Sequence, residues 1–163
     1  YKQLLDDRLI ADVEAALLES GMGPGLLELE ITENLLLTHF PHIISVMNRL
    51  KGMGVRVALD DFGSGSSTLA QLRQLPVDTL KIDRSIVGAI PENDTDAALI
   101  KAIADFGRAL SLAVVAEGVE TAEQQAFLRN TSCTLVQGFY FSRPLSPAGI
   151  TELMSRTAHR SSD

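Results

Sequence analysis

The segment VRVALDDFGSG, residues 55–65, carries an apolar run that leads into two adjacent carboxylates, Asp60 and Asp61, followed by two glycines. Because side chains alternate along a β-strand, adjacent carboxylates are expected to point to opposite faces, which would bury one of them. An unpaired buried carboxylate is costly, so the pattern calls for a positive partner. We predict that the strand ends at the pair, so that neither carboxylate enters the core.

Similar apolar runs, interleaved with helical patterns, extend through the rest of the chain. Strands are predicted at 26–32, 55–60, 79–83, 113–118 and 135–141. Helices are predicted at 2–19, 34–51, 66–75, 93–110 and 147–157, and Thr121 with Gln124 is typical of a capping box at the start of another. This alternation predicts an α/β fold, with a parallel sheet covered by helices.

A polar or charged side chain lies at or near the end of each predicted strand. These residues are Glu30, Asp60 with Asp61, Lys81, Glu117 and Gln137. Parallel sheets bind ligands at the carboxyl ends of their strands, so these side chains are expected to share one rim. Four carboxylates on one rim repel each other and require cations.

The donor set at this rim favours a hard divalent cation. Oxygen ligands without nearby Cys or His favour Mg²⁺, Mn²⁺ or Ca²⁺, and paired metals are a recurring device for phosphoester hydrolysis. Asp60 would bridge two metals, Asp61 would hold one, and Lys81 would orient water or neutralise charge. The alternative is that these are ordinary strand-end charges in salt bridges with Arg56, Lys81 or Arg84.

Composition excludes several classes of protein. The chain has 163 residues, enough for one domain, and its formal net charge of −7 argues against binding to DNA or RNA. No apolar run is long enough for a membrane span, and residues 1–10 do not resemble a signal peptide. The single cysteine, Cys133, precludes an internal disulfide and suits a reducing compartment, so we expect a cytoplasmic location. Because no initiator Met is present, we expect a fragment or a processed chain.

Several other residues receive structural interpretations. His39 and His42 are expected to have surface or partly buried roles, since a metal site would need more ligands. Gly63-Ser64-Gly65 lacks the spacing of a phosphate-binding loop and is expected to form a flexible loop over the site. Cys133 is expected to act as a small buried hydrophobe. Phe139 and Tyr140 are expected in the core.

Four segments together resemble the EAL family of cyclic-di-GMP phosphodiesterases. They are LELEITEN (27–34), ALDDFGSGSSTLAQLRQLPVDTLKIDRSIV (58–87), VVAEGVETAEQQAFL (114–128) and CTLVQGFYFSRPL (133–145). The resemblance covers roughly residues 1–150. It implies a modified (β/α)₈ barrel of the TIM type that hydrolyses cyclic-di-GMP to linear pGpG with Mg²⁺ or Mn²⁺. About five strand–helix units are visible, so residues 1–158 are expected to be the C-terminal portion of an EAL domain, with a disordered tail at 159–163.

The resemblance also implies roles for individual residues. Glu30 would bind the first metal, Asp60 would bridge both metals, and Asp61 would bind the second. Lys81 would contact the hydrolytic water. Glu117 would bind the second metal or act as general base. Glu33 would anchor the loop after Asp61, which in this family helps to position metal and dimer contacts, and Gln137 would lie near the site.

The sequence departs from the family pattern in two respects. The Glu-Ala-Leu motif with its phosphate-binding Arg, and the Asn of the third strand, would lie upstream of residue 1, and Ser66 replaces an aromatic residue in the loop. We therefore expect the complete domain to be active and the isolated chain inactive, with open sheet edges that associate, or a homodimer, and with upstream regulatory domains. The alternatives are a degenerate module that binds cyclic-di-GMP or a protein partner as a sensor, and a partial barrel used for assembly.

Overall fold

The fold is built on five parallel strands that pair in the order of the sequence. The computed structural model describes residues 4, 6, 8–37, 40–63, 65 and 69–160. The strands are β1 Glu28–Thr32, β2 Arg56–Phe62, β3 Thr79–Ile82, β4 Ala113–Glu117 and β5 Leu135–Gln137. They form one sheet in the order β1-β2-β3-β4-β5, with every neighbouring pair parallel. Sequential order is that of a (β/α) barrel rather than of a doubly wound sheet, so the predicted α/β fold class is confirmed.

Helices connect the strands, largely where the sequence predicts them. They are α1 Leu9–Ser20, α2 Phe40–Gly52, α3 Leu69–Leu72, α4 Arg84–Val87, α5 Asp94–Ala109, α6 Ala122–Leu128 and α7 Pro147–Arg160. Short 3₁₀ turns occupy Pro24–Leu26 and Glu33–Leu37. The capping box of Thr121 and Gln124 is present at the start of α6.

The predicted helix at 34–51 is not continuous. A 3₁₀ turn ends at Leu37 and α2 begins at Phe40, with Pro41 in its first turn. Proline fits the first turn of a helix, where its missing N–H has no intrahelical partner, but it disrupts an interior. Helix α4 was not predicted; the side chain of Asp83 caps it by accepting a hydrogen bond from the Ser85 N–H at 2.6 Å. At the other end of the chain, α7 continues to Arg160, beyond the start of the predicted tail, and 161–163 lie outside the described residues.

The core lies between the sheet and the helices packed on it. All four residues of β3 are buried, and Ile100 and Ala104 of α5 are fully buried against this region. Gly107 lets α5 approach the sheet closely, since a Cβ there would lie 2.3 Å from Val114 Cγ2. The central strand is therefore fixed by close packing, and Lys81, which it carries, is positioned rigidly.

The outermost strands are less covered than the centre. Every residue of β5 is exposed, and Glu30 of β1 has a side chain that is 51% exposed. Phe139 and Tyr140, which follow β5, are 52% and 42% exposed, so the expectation that they lie in the core is wrong for this structure. Among the described residues, no helix combines the length and apolar character needed to cross a membrane.

Candidate functional site

The carboxyl ends of β1 to β4 bring five charged side chains together. We call this group the carboxyl-end cluster: Glu30, Asp60, Asp61, Lys81 and Glu117. All five were predicted from the sequence to share this rim. The fold achieves this because parallel strands in sequential order place equivalent positions side by side.

A β-bulge explains how Asp60 and Asp61 both reach the cluster. Leu59 of β2 pairs with Leu80 of β3, whereas Phe62 pairs with Ile82, so two residues of β2 oppose Lys81 alone. Asp61 has a φ of 56°, in the left-handed region. The prediction that the strand ends at Asp60 is therefore wrong. The strand continues to Phe62, and the extra residue turns both carboxylates to the same rim instead of alternating them.

Lys81 is the positive partner of these carboxylates. Its side chain is only 8% exposed, and its Nζ donates to Glu30 Oε1 at 2.5 Å and to Glu117 Oε1 at 2.7 Å. Asp60 Oδ1 lies 3.4 Å away, at ion-pair distance. Burial acts to lower the pKa of Lys81, but the hydrogen bonds to Glu117 and Glu30, together with the Asp60 charge, outweigh it and raise the pKa above its ordinary value. The raised pKa favours the protonated ammonium of Lys81, which donates hydrogen bonds to the carboxylates around it.

Three of the carboxylates form a group suited to a metal ion. Ligand oxygens of Asp60, Asp61 and Glu117 all lie within 4.8 Å of one another. Asp60 Oδ1 is fully buried and has no hydrogen-bond partner among the described residues, although it lies near Lys81. A buried carboxylate oxygen without a hydrogen bond is costly, and an all-oxygen donor set fits Mg²⁺ or Mn²⁺. Glu30 lies outside this group of three and reaches it through Lys81.

Asp83 also contacts the site, and it was not among the residues predicted from the sequence. Burial, the Asp60 charge and the Asp83 charge raise the pKa of Asp61, while Lys81 opposes the shift. Burial acts to raise the pKa of Asp83, but the hydrogen bonds from Ser85 and Asp61 outweigh it and lower the pKa. A signal for Asp83 was present in the sequence, because it follows β3 directly, only two residues after Lys81.

Glu33 lies behind the loop that follows the aspartate pair. It is 2% exposed, and its Oε2 accepts hydrogen bonds from the Gly63 N–H at 3.0 Å and the Gly65 N–H at 3.3 Å. Gly63 has a φ of 95°, and a Cβ on Gly65 would lie 2.7 Å from Glu33 Oε1. Glycine at both positions therefore lets the loop backbone come close enough to hydrogen-bond the Glu33 carboxylate. Ser64 and Ser66 lie outside the described residues.

Gln137 lies beside Glu117 at the edge of the site, as the two residues pair in the β4–β5 register. Its backbone carbonyl accepts a hydrogen bond from the Val119 N–H at 3.0 Å.

The alternative interpretation, that the strand-end charges form ordinary salt bridges, holds in part. Lys81 pairs with three carboxylates. Arg56, however, pairs with Glu28 at the other end of the strands.

The remaining predicted positions lie away from the cluster. His42 is exposed and its Nε2 lies 3.1 Å from the Leu4 carbonyl oxygen, and His39 falls outside the described residues. Cys133 is partly buried, and its Sγ lies 3.1 Å from the Leu135 carbonyl oxygen and 3.4 Å from that of Val114. Burial raises the pKa of its thiol, although backbone hydrogen bonds at Leu135 and Ala116 act to lower it, and the raised pKa favours the neutral form.

Fold and site together define an α/β domain of the barrel type, with an oxygen-rich cluster at the carboxyl ends of its strands. The sequence pattern described as EAL domain matches residues 2–144, so the chain belongs to the EAL domain family. The chain is 46% identical over 146 residues to the cyclic di-GMP phosphodiesterase NbdA of Pseudomonas aeruginosa, covering 90% of this chain and 19% of NbdA.

Solved structures agree with this assignment. The PaMucR phosphodiesterase in complex with c-di-GMP superposes with a TM-score of 0.87 at 38% identity, covering 91% of this chain and 60% of that one. The manganese and cyclic-di-GMP complex of Klebsiella pneumoniae BlrP1 superposes with a TM-score of 0.81 at 34% identity, covering 85% of this chain and 36% of that one. This chain thus spans about a fifth of NbdA and less than two thirds of either solved chain.

Proposed function

We propose that this chain forms part of an EAL domain that hydrolyses cyclic-di-GMP to linear pGpG. The observation that carries the proposal is the group of carboxylates around Asp60 at the carboxyl ends of a barrel-type sheet, where a buried oxygen of Asp60 accepts no hydrogen bond within the described residues. The names of NbdA and of the PaMucR complex support the choice of substrate.

The proposed reaction uses Mg²⁺ or Mn²⁺ in a two-metal site. Asp60, Asp61 and Glu117 would hold one ion, and Glu30 with Asp60 would contribute to the other. Such ions lower the pKa of water and polarise phosphoryl oxygens. The manganese in the BlrP1 complex supports this donor preference.

Lys81 and Glu117 carry the remaining chemistry in this proposal. Lys81 stays protonated, so it contributes positive charge near the phosphoester and a hydrogen bond that orients the attacking water. Glu117 binds metal or accepts the proton of that water. In both roles the 2.7 Å contact with Lys81 fixes the position of the Glu117 carboxylate.

The activity is proposed for a complete EAL barrel rather than for these five strands alone. Glu30 is 51% exposed and all of β5 is exposed, so both outer strands lack the cover that a closed barrel gives its parallel strands. We expect the isolated chain to be inactive and to associate through these edges, as a homodimer or a larger assembly. The proposal also includes upstream regulatory domains, which are supported by the small share of NbdA that this chain covers. It includes a cytoplasmic location, which is supported by the single cysteine.

The test is hydrolysis of cyclic-di-GMP by the natural protein that carries this chain. Chromatography should show pGpG as product with Mn²⁺ or Mg²⁺, and chelation with EDTA should abolish turnover, with recovery when metal is restored. Calorimetry run in parallel separates the alternatives. Binding without turnover would support the sensor, and neither binding nor turnover would refute the proposal. For the isolated 163 residues, a monomer in light scattering that cleaves the substrate would contradict the expected inactivity.

A further inference from the structure

A groove beside the carboxyl-end cluster contains a cation with no role in the function proposed above. The groove has a volume of about 190 Å³ and is lined in part by Glu117 and Gln137, so it opens directly onto the site. Arg84, Glu120 and Phe139 form other parts of its wall. A ligand bound at the cluster would therefore have this groove directly beside it.

The backbone places Arg84 next to the cluster. Arg84 begins α4 directly after Asp83, and Gly118, which follows Glu117, has a φ of 73°. A Cβ on Gly118 would lie 2.6 Å from Arg84 Cβ. The glycine therefore permits a close approach that brings Arg84 beside the residue following Glu117, and a larger side chain at 118 would separate them.

The guanidinium of Arg84 is available to a ligand. Arg84 is exposed and makes no ion pair within the part of the chain that the structure describes, although Glu117 and Glu120 line the same groove. The neighbouring cations are engaged differently. Lys81 is enclosed by carboxylates, and the guanidinium of Arg143 lies 4.8 Å from the centre of the Phe139 ring.

The chemistry of a cyclic dinucleotide matches this arrangement. The molecule carries two phosphodiesters, and in the proposed reaction only one of them lies at the metals. The other remains an anion beside a rim rich in carboxylates, in a chain of net charge −7, so a cation beside the site would favour its binding. A guanidinium suits this anion because it donates two parallel hydrogen bonds to phosphate oxygens.

We infer that Arg84 binds the phosphodiester of cyclic-di-GMP that is not being cleaved, an inference that rests on the proposed function. The charge of this phosphodiester is the same in the substrate and in the transition state. Its contact with Arg84 therefore contributes equally to both, and the loss of the contact should raise KM and leave kcat nearly unchanged.

The test compares Arg84→Gln and Arg84→Lys in the natural protein that carries this chain, with Mn²⁺. Arg84→Gln should raise KM, and the Kd from calorimetry, about tenfold, with kcat within about twofold of wild type. Arg84→Lys should recover part of the loss, because it keeps the charge but not the paired hydrogen bonds. Arg49→Gln is the matched control, an exposed arginine in the last turn of α2 that makes the same change of charge at the other end of the sheet.

The outcomes distinguish this inference from the proposed function. Wild-type turnover with an unchanged KM and Kd in Arg84→Gln would overturn the inference alone, as would an equal effect of Arg49→Gln. A fall in kcat without a change in KM would also overturn it, since it would assign Arg84 to the phosphodiester being cleaved. A wild-type protein that neither binds nor cleaves cyclic-di-GMP would refute both.

Discussion

The carboxylates at the two ends of the parallel sheet differ in how they are paired and hydrogen-bonded. At the amino ends lies a group that we call the amino-end cluster: Glu28, Lys51, Arg56, Asp78 and Thr79. Asp78 pairs with Lys51 and accepts from the Val57 N–H at 2.9 Å, while Glu28 lies 3.2 Å from Arg56 and accepts from Thr79 at 2.7 Å. Each carboxylate there has its own cation and its own hydrogen-bond donor.

The carboxyl-end cluster lacks this balance. Lys81 is the one cation among four carboxylates, and a buried oxygen of Asp60 has no hydrogen bond within the described residues. A set of interactions that served stability alone would pair these charges, as the amino ends do. The difference supports the proposal that the carboxyl ends of the strands bind a ligand.

The largest expected effect is that of Asp60→Asn. In the natural protein it should lower kcat for cyclic-di-GMP by at least about a hundredfold, because the central carboxylate of the proposed metal site loses its charge. The melting temperature should change little, since the variant loses the ion pair with Lys81 but also removes a buried carboxylate oxygen that accepts no hydrogen bond within the described residues. Hydrolysis kinetics and thermal unfolding measure the two effects. A variant that turns over at near the wild-type rate would show that the cluster is not the reaction centre.

Lys81→Met should come next in size. Loss of the ammonium should reduce kcat about a hundredfold and weaken substrate binding much less, because positive charge matters most as the phosphoester opens. Unlike Asp60→Asn, it should also destabilise the fold, since it leaves Glu117, Asp60 and Glu30 without their shared cation. Calorimetry beside kinetics decides the point, as equal losses of binding and rate would make Lys81 a binding contact only.

Asp78→Asn tests the amino-end cluster and should affect stability instead of catalysis. It weakens the pair with Lys51 and the hydrogen bond from the Val57 N–H, so the free energy of unfolding should fall by about 2 kcal/mol, with kcat unchanged. Denaturant titration and kinetics on the same variant measure both quantities. A large fall in kcat at unchanged stability would break the contrast between the two ends of the sheet.

The pH dependence of stability provides a second measurement of the structural role of Asp78 in the amino-end cluster. Although burial acts to raise the pKa of Asp78, the hydrogen bonds from Lys51 and Val57 lower it below its ordinary value of 3.8. The folded state therefore binds fewer protons, and the stabilisation is present above that value and lost as the pH falls through the lower, folded pKa. In Asp78→Asn, the loss of stability as the pH falls below 3.8 should be smaller than in wild type, as measured by denaturant titration at a series of pH values.

Some of this contrast could be predicted from the sequence and some could not. Apolar runs and breaks are local signals, so the presence of five strands and the charged residues near their carboxyl ends were predicted, although the chemical roles of these residues stay predictions. Two strand ends were predicted wrongly, because β2 continues to Phe62 and β5 ends at Gln137 rather than at residue 141. The bulge at Asp60 and Asp61 depends on pairing with Lys81, twenty residues further along the chain, and no local pattern indicates it. The exposure of Phe139 was missed for a similar reason, since an aromatic residue is buried only where another element covers it.

The smallest expected effect is that of Glu33→Gln. This variant distinguishes the effect of a carboxylate's position in the fold from the effect of the hydrogen bonds that it accepts. Glu33 lies near the carboxyl-end cluster, yet it is satisfied like the amino-end carboxylates, by hydrogen bonds from the Gly63 and Gly65 N–H groups. Glutamine keeps an acceptor of the same shape, but a neutral oxygen makes weaker hydrogen bonds than a carboxylate. We expect kcat to fall about threefold to tenfold through looser placement of the loop after Asp61, with little change in melting temperature. Glu33→Ala, which removes the acceptor, should lower both kcat and the melting temperature further. If Glu33→Gln instead matched the loss in Asp60→Asn, location at this end of the sheet would govern function irrespective of hydrogen bonding. The contrast between carboxylates that accept hydrogen bonds and the Asp60 oxygen that accepts none would then fail.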